Sequence, residues 1–152
     1  MTITREYTLY RTKLRVVYDC SAKAKMGEPS LIDCLESGPQ LQPHLFDILM
    51  RVRSYKFLIT GDICKAFHQI CLARQDIDAQ RLFWYSDLPN RVIEEYRFTR
   101  VIFGCTSSPY ILGATIQRHV SQFMDKYPET TASLLANTYV DDILAGGASS
   151  KT

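Results

Sequence analysis

Three aspartates could bring carboxylates together at the ends of strands. Asp62 closes the apolar run Lys56-Phe57-Leu58-Ile59-Thr60-Gly61, and the adjacent pair Asp141-Asp142 lies between Tyr139-Val140 and Ile143-Leu144-Ala145. Hard carboxylate oxygens favour magnesium, and two such ions about 3.5–4 Å apart can activate an attacking oxygen and stabilise a leaving one in an in-line phosphoryl transfer. The ligands for that chemistry must be held on rigid elements. An Asp-Asp pair alone is also ordinary turn chemistry, because Asp is favoured at hairpin tips and tolerates positive φ. The third carboxylate is what directs the pair towards metal chemistry. Asp62 and Asp141 are 79 positions apart (141 − 62), so their convergence is a demand placed on the fold.

The elements that must meet this demand follow from the residue pattern. Residues 14–18 are rich in β-formers and predict a strand entering a polar loop, 20–29, that carries Lys23, Lys25 and Met26. Residues 43–53 place Leu45, Phe46, Ile48, Leu49 and Val52 at helical spacing, with Pro43 suited to a first turn. The continuous apolar run 56–62 predicts a buried central strand delivering Asp62 at its end. Strands are expected at 68–72, 80–85 and 94–100, the last two joined by a connector with Asp87, Pro89 and Asn90. Ser107-Ser108-Pro109 predicts a helix start with a hydroxyl cap, continued by Ile111, Leu112, Thr115, Ile116, His119, Val120 and Phe123 and ending before Pro128. A short helix at 130–136 then leads into a β-hairpin with the acids at its tip. The expected class is α+β, an antiparallel sheet backed by helices.

Composition bounds the partners. With 152 residues, 46% of them hydrophobic and 22% charged, the chain can build one compact domain. A net charge of +2 neither demands nor excludes a polyanion. No apolar run reaches the length of a membrane helix, and Met1-Thr2-Ile3-Thr4-Arg5-Glu6 lacks a signal-peptide core. An intracellular protein without a membrane partner is expected. Cys20, Cys34, Cys64, Cys71 and Cys105 form no C-x-x-C pair, so reduced, mostly buried thiols are expected rather than a disulfide framework or a zinc site. His44, His68 and His119 show no metal-ligand spacing, and no G-x-x-x-x-G-K loop is present.

Thr138-Tyr139-Val140-Asp141-Asp142-Ile143 resembles the Tyr-x-Asp-Asp box of reverse transcriptases, and Gly61-Asp62-Ile63-Cys64-Lys65-Ala66-Phe67 resembles their first catalytic motif. Phe103-Gly104-Cys105-Thr106-Ser107-Ser108-Pro109 resembles the loop that precedes their palm helix. The segments Arg15-Val16-Val17-Tyr18-Asp19-Cys20-Ser21-Ala22-Lys23, Leu35-Glu36-Ser37-Gly38-Pro39 and Phe98-Thr99-Arg100-Val101-Ile102 are similar to polymerases of Pao/BEL-type LTR retrotransposons. The resemblance implies a polymerase palm (about 56–67 and 101–152) with partial fingers (about 1–55 and 68–100). It implies RNA-directed synthesis of DNA from deoxynucleoside triphosphates on a primed RNA or DNA template. Asp62, Asp141 and the carbonyl of Ile63 would hold two magnesium ions, with manganese as a substitute, and Asp142 is the neighbouring acid. Cys64, Lys65 and Ala66 fall on the backbone cradle for the triphosphate. Phe67 falls under the incoming sugar, where a ring excludes a 2′-hydroxyl, although by residue type it is equally a core Phe. Arg15 aligns with a triphosphate-binding arginine, with Lys13 and Arg11 as further candidates. Phe103 falls beside the nucleotide, and Tyr139 and Val140 support the catalytic box. Lys23 and Lys25 are placed for template phosphates, or for solvent.

The sequence departs from the family at its ends: only 14 residues precede Arg15 and ten follow Asp142. Thumb and RNase H regions are therefore expected to be absent, and the chain to be part of a Pol polyprotein in cytoplasmic element particles. The alternative is a truncated, catalytically silent nucleic-acid-binding remnant. An unrelated phosphate-handling metalloenzyme is a third possibility.

Overall fold

A three-stranded antiparallel sheet carries both acidic motifs. The computed structural model describes residues 2–8 and 11–147, with side chains from Tyr18 onward. β1 (Thr2–Thr8) and β2 (Arg11–Val17) pair as an antiparallel ribbon with Thr2 opposite Val17. The polar loop after β2 ends in a single turn, α1 (Leu31–Cys34). There the Ser30 hydroxyl accepts the Asp33 N–H while the Asp33 carboxylate accepts the Ser30 N–H at 2.9 Å, a reciprocal capping box. The Ser30 N–H and the Ser30 hydroxyl, both donating to this carboxylate at 2.9 Å, together with Lys23 at 3.1 Å, hold the Asp33 carboxyl down at about 2. Lys23 is thus tied to a carboxylate, while Lys25 and Met26 stand exposed.

α2 (Leu45–Val52) follows, starting two residues after Pro43. It buries only Ile48 and Val52, one turn apart, and leaves Phe46 exposed. β3 (Phe57–Asp62) then enters the sheet, whose order is β3-β7-β6, with β6 (Thr138–Tyr139) and β7 (Asp142–Gly147). The expectation of a buried central strand at 56–62 is corrected here. Among the described residues β7 is central and β3 is an edge strand paired on one side only, with all six of its residues exposed, Ile59 to 67%. Gly146 and Gly147 are the last two residues of β7.

Residues 68–72 form no strand. Residues 68 and 69 end a 3₁₀ turn (Ala66–Gln69), and an isolated bridge, Cys71 to Arg100, with the Arg100 guanidinium donating to the Gln69 carbonyl, links this segment to the chain around residue 100. Lys65, at φ 54°, takes the left-handed conformation that starts this turn and breaks β periodicity. A second 3₁₀ turn (Ile77–Ala79) precedes β4 (Arg81–Asp87), which pairs with β5 (Val92–Arg97) as a separate hairpin whose base carries the ion pairs of Arg81 and Arg97 with Asp78 and Glu95. α3 (Ser108–Ser121) and α4 (Pro128–Asn137) complete the α+β architecture. The expected hydroxyl cap of α3 does not form. Ser107 is itself helical, and the buried Ser108 hydroxyl instead donates to the Ile102 carbonyl.

Cys20, Ile102 and Cys105 form a buried cluster, packed by Tyr18, Leu31, Ile32, Leu35 and Phe98. Only these two cysteines are buried; Cys34, Cys64 and Cys71 are exposed, against the expectation of mostly buried thiols, because they lie on a one-turn helix and two open loops. Among the described residues no helix is long and apolar enough to cross a membrane.

Gly146 sits opposite Leu58 where β7 passes under Tyr55. A Cβ there would overlap the Tyr55 ring and approach the Phe57 carbonyl oxygen to 2.6 Å, whereas one on Gly61 would meet nothing within 4 Å. Gly146→Ala is expected to lower stability by about 1–3 kcal/mol through overpacking. Gly61→Ala should leave it unchanged or slightly higher. Urea denaturation compares the two midpoints, and equal midpoints would remove the close β3–β7 approach as a constraint.

Candidate active site

The register of β7 places Asp142 directly opposite Asp62 on one side and Tyr139 on the other. Paired residues share a sheet face, so Asp62, Asp142 and Tyr139 make one row across three strands. The next row, Gly61, Ile143 and Thr138, faces the other way. Ile143 and Thr138 line an apolar cavity of about 360 Å³ with Ile63, Leu112, Ile116 and Leu134. The helices therefore lie behind the sheet, and the exposed carboxylates of Asp62 and Asp142 lie in front.

Val140 and Asp141 form the two-residue turn between β6 and β7. Val140 has φ 57°, a left-handed conformation in which a β-branched side chain is strained. The Asp141 carbonyl accepts the Ile63 N–H at 2.9 Å, one rung beyond the ladder, and clamps the tip of the hairpin to the chain leaving β3. The Ile63 carbonyl accepts the Ala66 N–H at 3.0 Å and keeps one lone pair. The Gln69 side-chain amide donates to the Cys64 carbonyl at 3.3 Å. Cys64 and Lys65 are exposed at this turn, and Phe67 is half-buried. Phe103, before α3, lies 5.5 Å from the Tyr18 ring and 6.0 Å from His68, so the turn after β3 and the loop before α3 face one another. The side chains of Arg15, Lys13 and Arg11 lie outside the described residues.

The fold thus gathers Asp62, Asp142, Tyr139, Ile63 and the Asp141 backbone at one end of the sheet. Among the described residues, however, no three His, Cys, Asp or Glu side chains converge as a metal cage. Asp141 belongs to the turn, outside the row that Asp62 and Asp142 share.

Two supporting residues escaped the sequence reading. One Arg51 nitrogen donates to the Ala136 carbonyl and, at 2.7 Å, to Asn137 Oδ1. This places a guanidinium at the C-terminus of α4, on the Ala136 carbonyl immediately before β6. Asn137 is almost fully buried. An Asn at a helix end was the available signal, whereas Arg51 sits in an amphipathic helix without distinguishing context.

Like charges opposed across a strand pair are destabilising. In metal-free buffer Asp142→Asn should therefore raise the melting temperature by roughly 1–4 °C, an increment that shrinks with added salt. A lower melting temperature would mean that the pair is not electrostatically opposed.

No curated protein matches the chain. A family model described as reverse transcriptase (RNA-dependent DNA polymerase) matches residues 6–152. With both acidic motifs at one sheet end and that match spanning nearly its whole length, the chain belongs to the reverse transcriptase family.

Proposed function

We propose that the chain is the palm (about 56–67 and 101–152) and part of the fingers (about 1–55 and 68–100) of a Pao/BEL-type retrotransposon polymerase. It adds deoxynucleotides to a primer 3′-hydroxyl on an RNA or DNA template. The observation that carries this reading is the register opposing Asp62 to Asp142, with Asp141 clamped to Ile63. Motifs 79 residues apart thereby share one sheet end.

The donor set there is entirely hard oxygen, carboxylates plus the free lone pair of the Ile63 carbonyl, and suits magnesium. Asp62, Asp141 and Ile63 would hold the ions, with Asp142 beside them. Bound magnesium supplies charge neutralisation at the phosphate and activation of the attacking oxygen. The chain itself positions the substrate. The Ala66 N–H is already engaged by Ile63, so the triphosphate cradle falls to the amides of Cys64 and Lys65. A left-handed residue such as Lys65 lets successive amides converge on an anion. Arg15 suits the same phosphates through its fixed guanidinium fork. Phe67 serves as the barrier to a 2′-hydroxyl, and Phe103 contacts the nucleotide. The remainder of a Pol polyprotein is the expected partner, and cytoplasmic element particles the expected location.

Primer extension on an RNA template with magnesium tests this reading. Incorporation should fall by roughly 10³-fold in Asp141→Asn, since a metal contributes several kcal/mol at the transition state. Phe67→Ala should retain DNA synthesis and admit ribonucleotides. Among the described residues Asp62, Asp141 and Asp142 do not converge as a trio, which favours a second reading, a silent nucleic-acid-binding remnant. Retained primer-template binding without incorporation, unchanged in Asp141→Asn, would establish that reading instead.

A further inference from the structure

Cys20 and Cys105 are separated by 85 positions, yet their sulfurs lie 3.4 Å apart and both are buried. A disulfide bond is about 2 Å long, so closure needs an approach of roughly 1.4 Å. Cys20, but not Cys105, lines a cavity of about 370 Å³ together with Tyr18, Asp19, Gln80 and Phe98. Gln80 is 6% exposed, and its Oε1 has no hydrogen-bond partner. The cavity therefore reaches Cys20 and borders Gln80, a buried residue with an unused acceptor.

We propose that hydrogen peroxide entering this cavity converts Cys20 and Cys105 to an intramolecular disulfide, with Cys20 the attacking sulfur and Cys105 the resolving one. In the first step the Cys20 sulfur forms an S–O bond as the O–O bond breaks, and its proton leaves with the departing oxygen as water. In the second, the Cys105 sulfur displaces the oxygen from the Cys20 sulfenic acid, and its proton completes a second water. Two thiols lose two electrons and one peroxide gains them. Cys105 does not line the cavity, and burial followed by the hydrogen bond with Cys20 raises its thiol pKa, so Cys20 is the sulfur that peroxide meets first. The bond would join the loop after β2 to the loop before α3, which carries Phe103. This inference goes beyond the polymerase reading.

The test alkylates the exposed Cys34, Cys64 and Cys71 on the folded chain, adds dilute peroxide, then unfolds and labels the remaining thiols with a second maleimide. The expected result is no second label, a mass lower by two hydrogens, a joined Cys20–Cys105 peptide reversible by dithiothreitol, and a melting temperature raised by roughly 5–15 °C. Both cysteines taking the second label would overturn the proposal. For the order of attack, dimedone should capture sulfenic acid on Cys20 in Cys105→Ser and nothing on Cys105 in Cys20→Ser. Capture on Cys105 instead would overturn that assignment. Mass and melting are read without nucleotide or template, so failure of the polymerase reading is distinguishable from failure here.

Discussion

Everything at the candidate site depends on the antiparallel pairing of β3 with β7. Side chains alternate along a strand, so a slip of one residue would turn Asp142 to the helix side of the sheet. Two features resist that slip. Ile143 and Thr138 are held on the apolar face against α3 and α4, and the Ile63 N–H bonds to the Asp141 carbonyl beyond the last rung. The close passage of Gly146 beneath Tyr55 adds a steric condition at the far end of the same ladder.

The site is assembled against local preference. A β-branched Val140 holds a left-handed conformation, and two carboxylates oppose each other across the β3–β7 pair. Such features persist only where surrounding structure imposes them. The Arg51 clamp on Ala136 and Asn137, together with the Thr138 hydroxyl donating to the Leu134 carbonyl at 2.7 Å, fixes the chain where it enters the hairpin. A sheet end that sets two carboxylates opposite one another is suited to binding a group that supplies positive charge.

A second region, the cluster of Cys20, Ile102 and Cys105, joins the segment after β2 to the loop before α3. The Ile32 N–H donates to the Cys20 carbonyl at 3.1 Å and the Thr106 hydroxyl to the Leu35 carbonyl at 3.3 Å, so α1 is bound into the same joint. Tyr18 meets Phe98 edge-on at 4.7 Å and reaches Phe103. Phe103, proposed to contact the nucleotide, thus stands against Tyr18 at the edge of the small core that holds the thiol pair.

Local pattern alone determined the strands around Asp62 and Ile143, the helices 108–121 and 128–137 in outline, and the motifs that carry the family, because periodicity and turn chemistry act over a few residues. The sequence could not say that β3 is an edge strand, since an apolar run is the same whether one neighbour or two pair with it. Nor could it reveal that Ser108 turns inward to Ile102, that residues 66–69 coil after a left-handed Lys65, or that Arg51 caps α4 from 85 residues away. The pairing of Cys20 with Cys105 and the row of Asp62, Asp142 and Tyr139 were likewise decided only by tertiary structure. Each depends on which distant segments pack side by side, a choice made by the summed burial and hydrogen bonding of the whole chain rather than by neighbours in sequence.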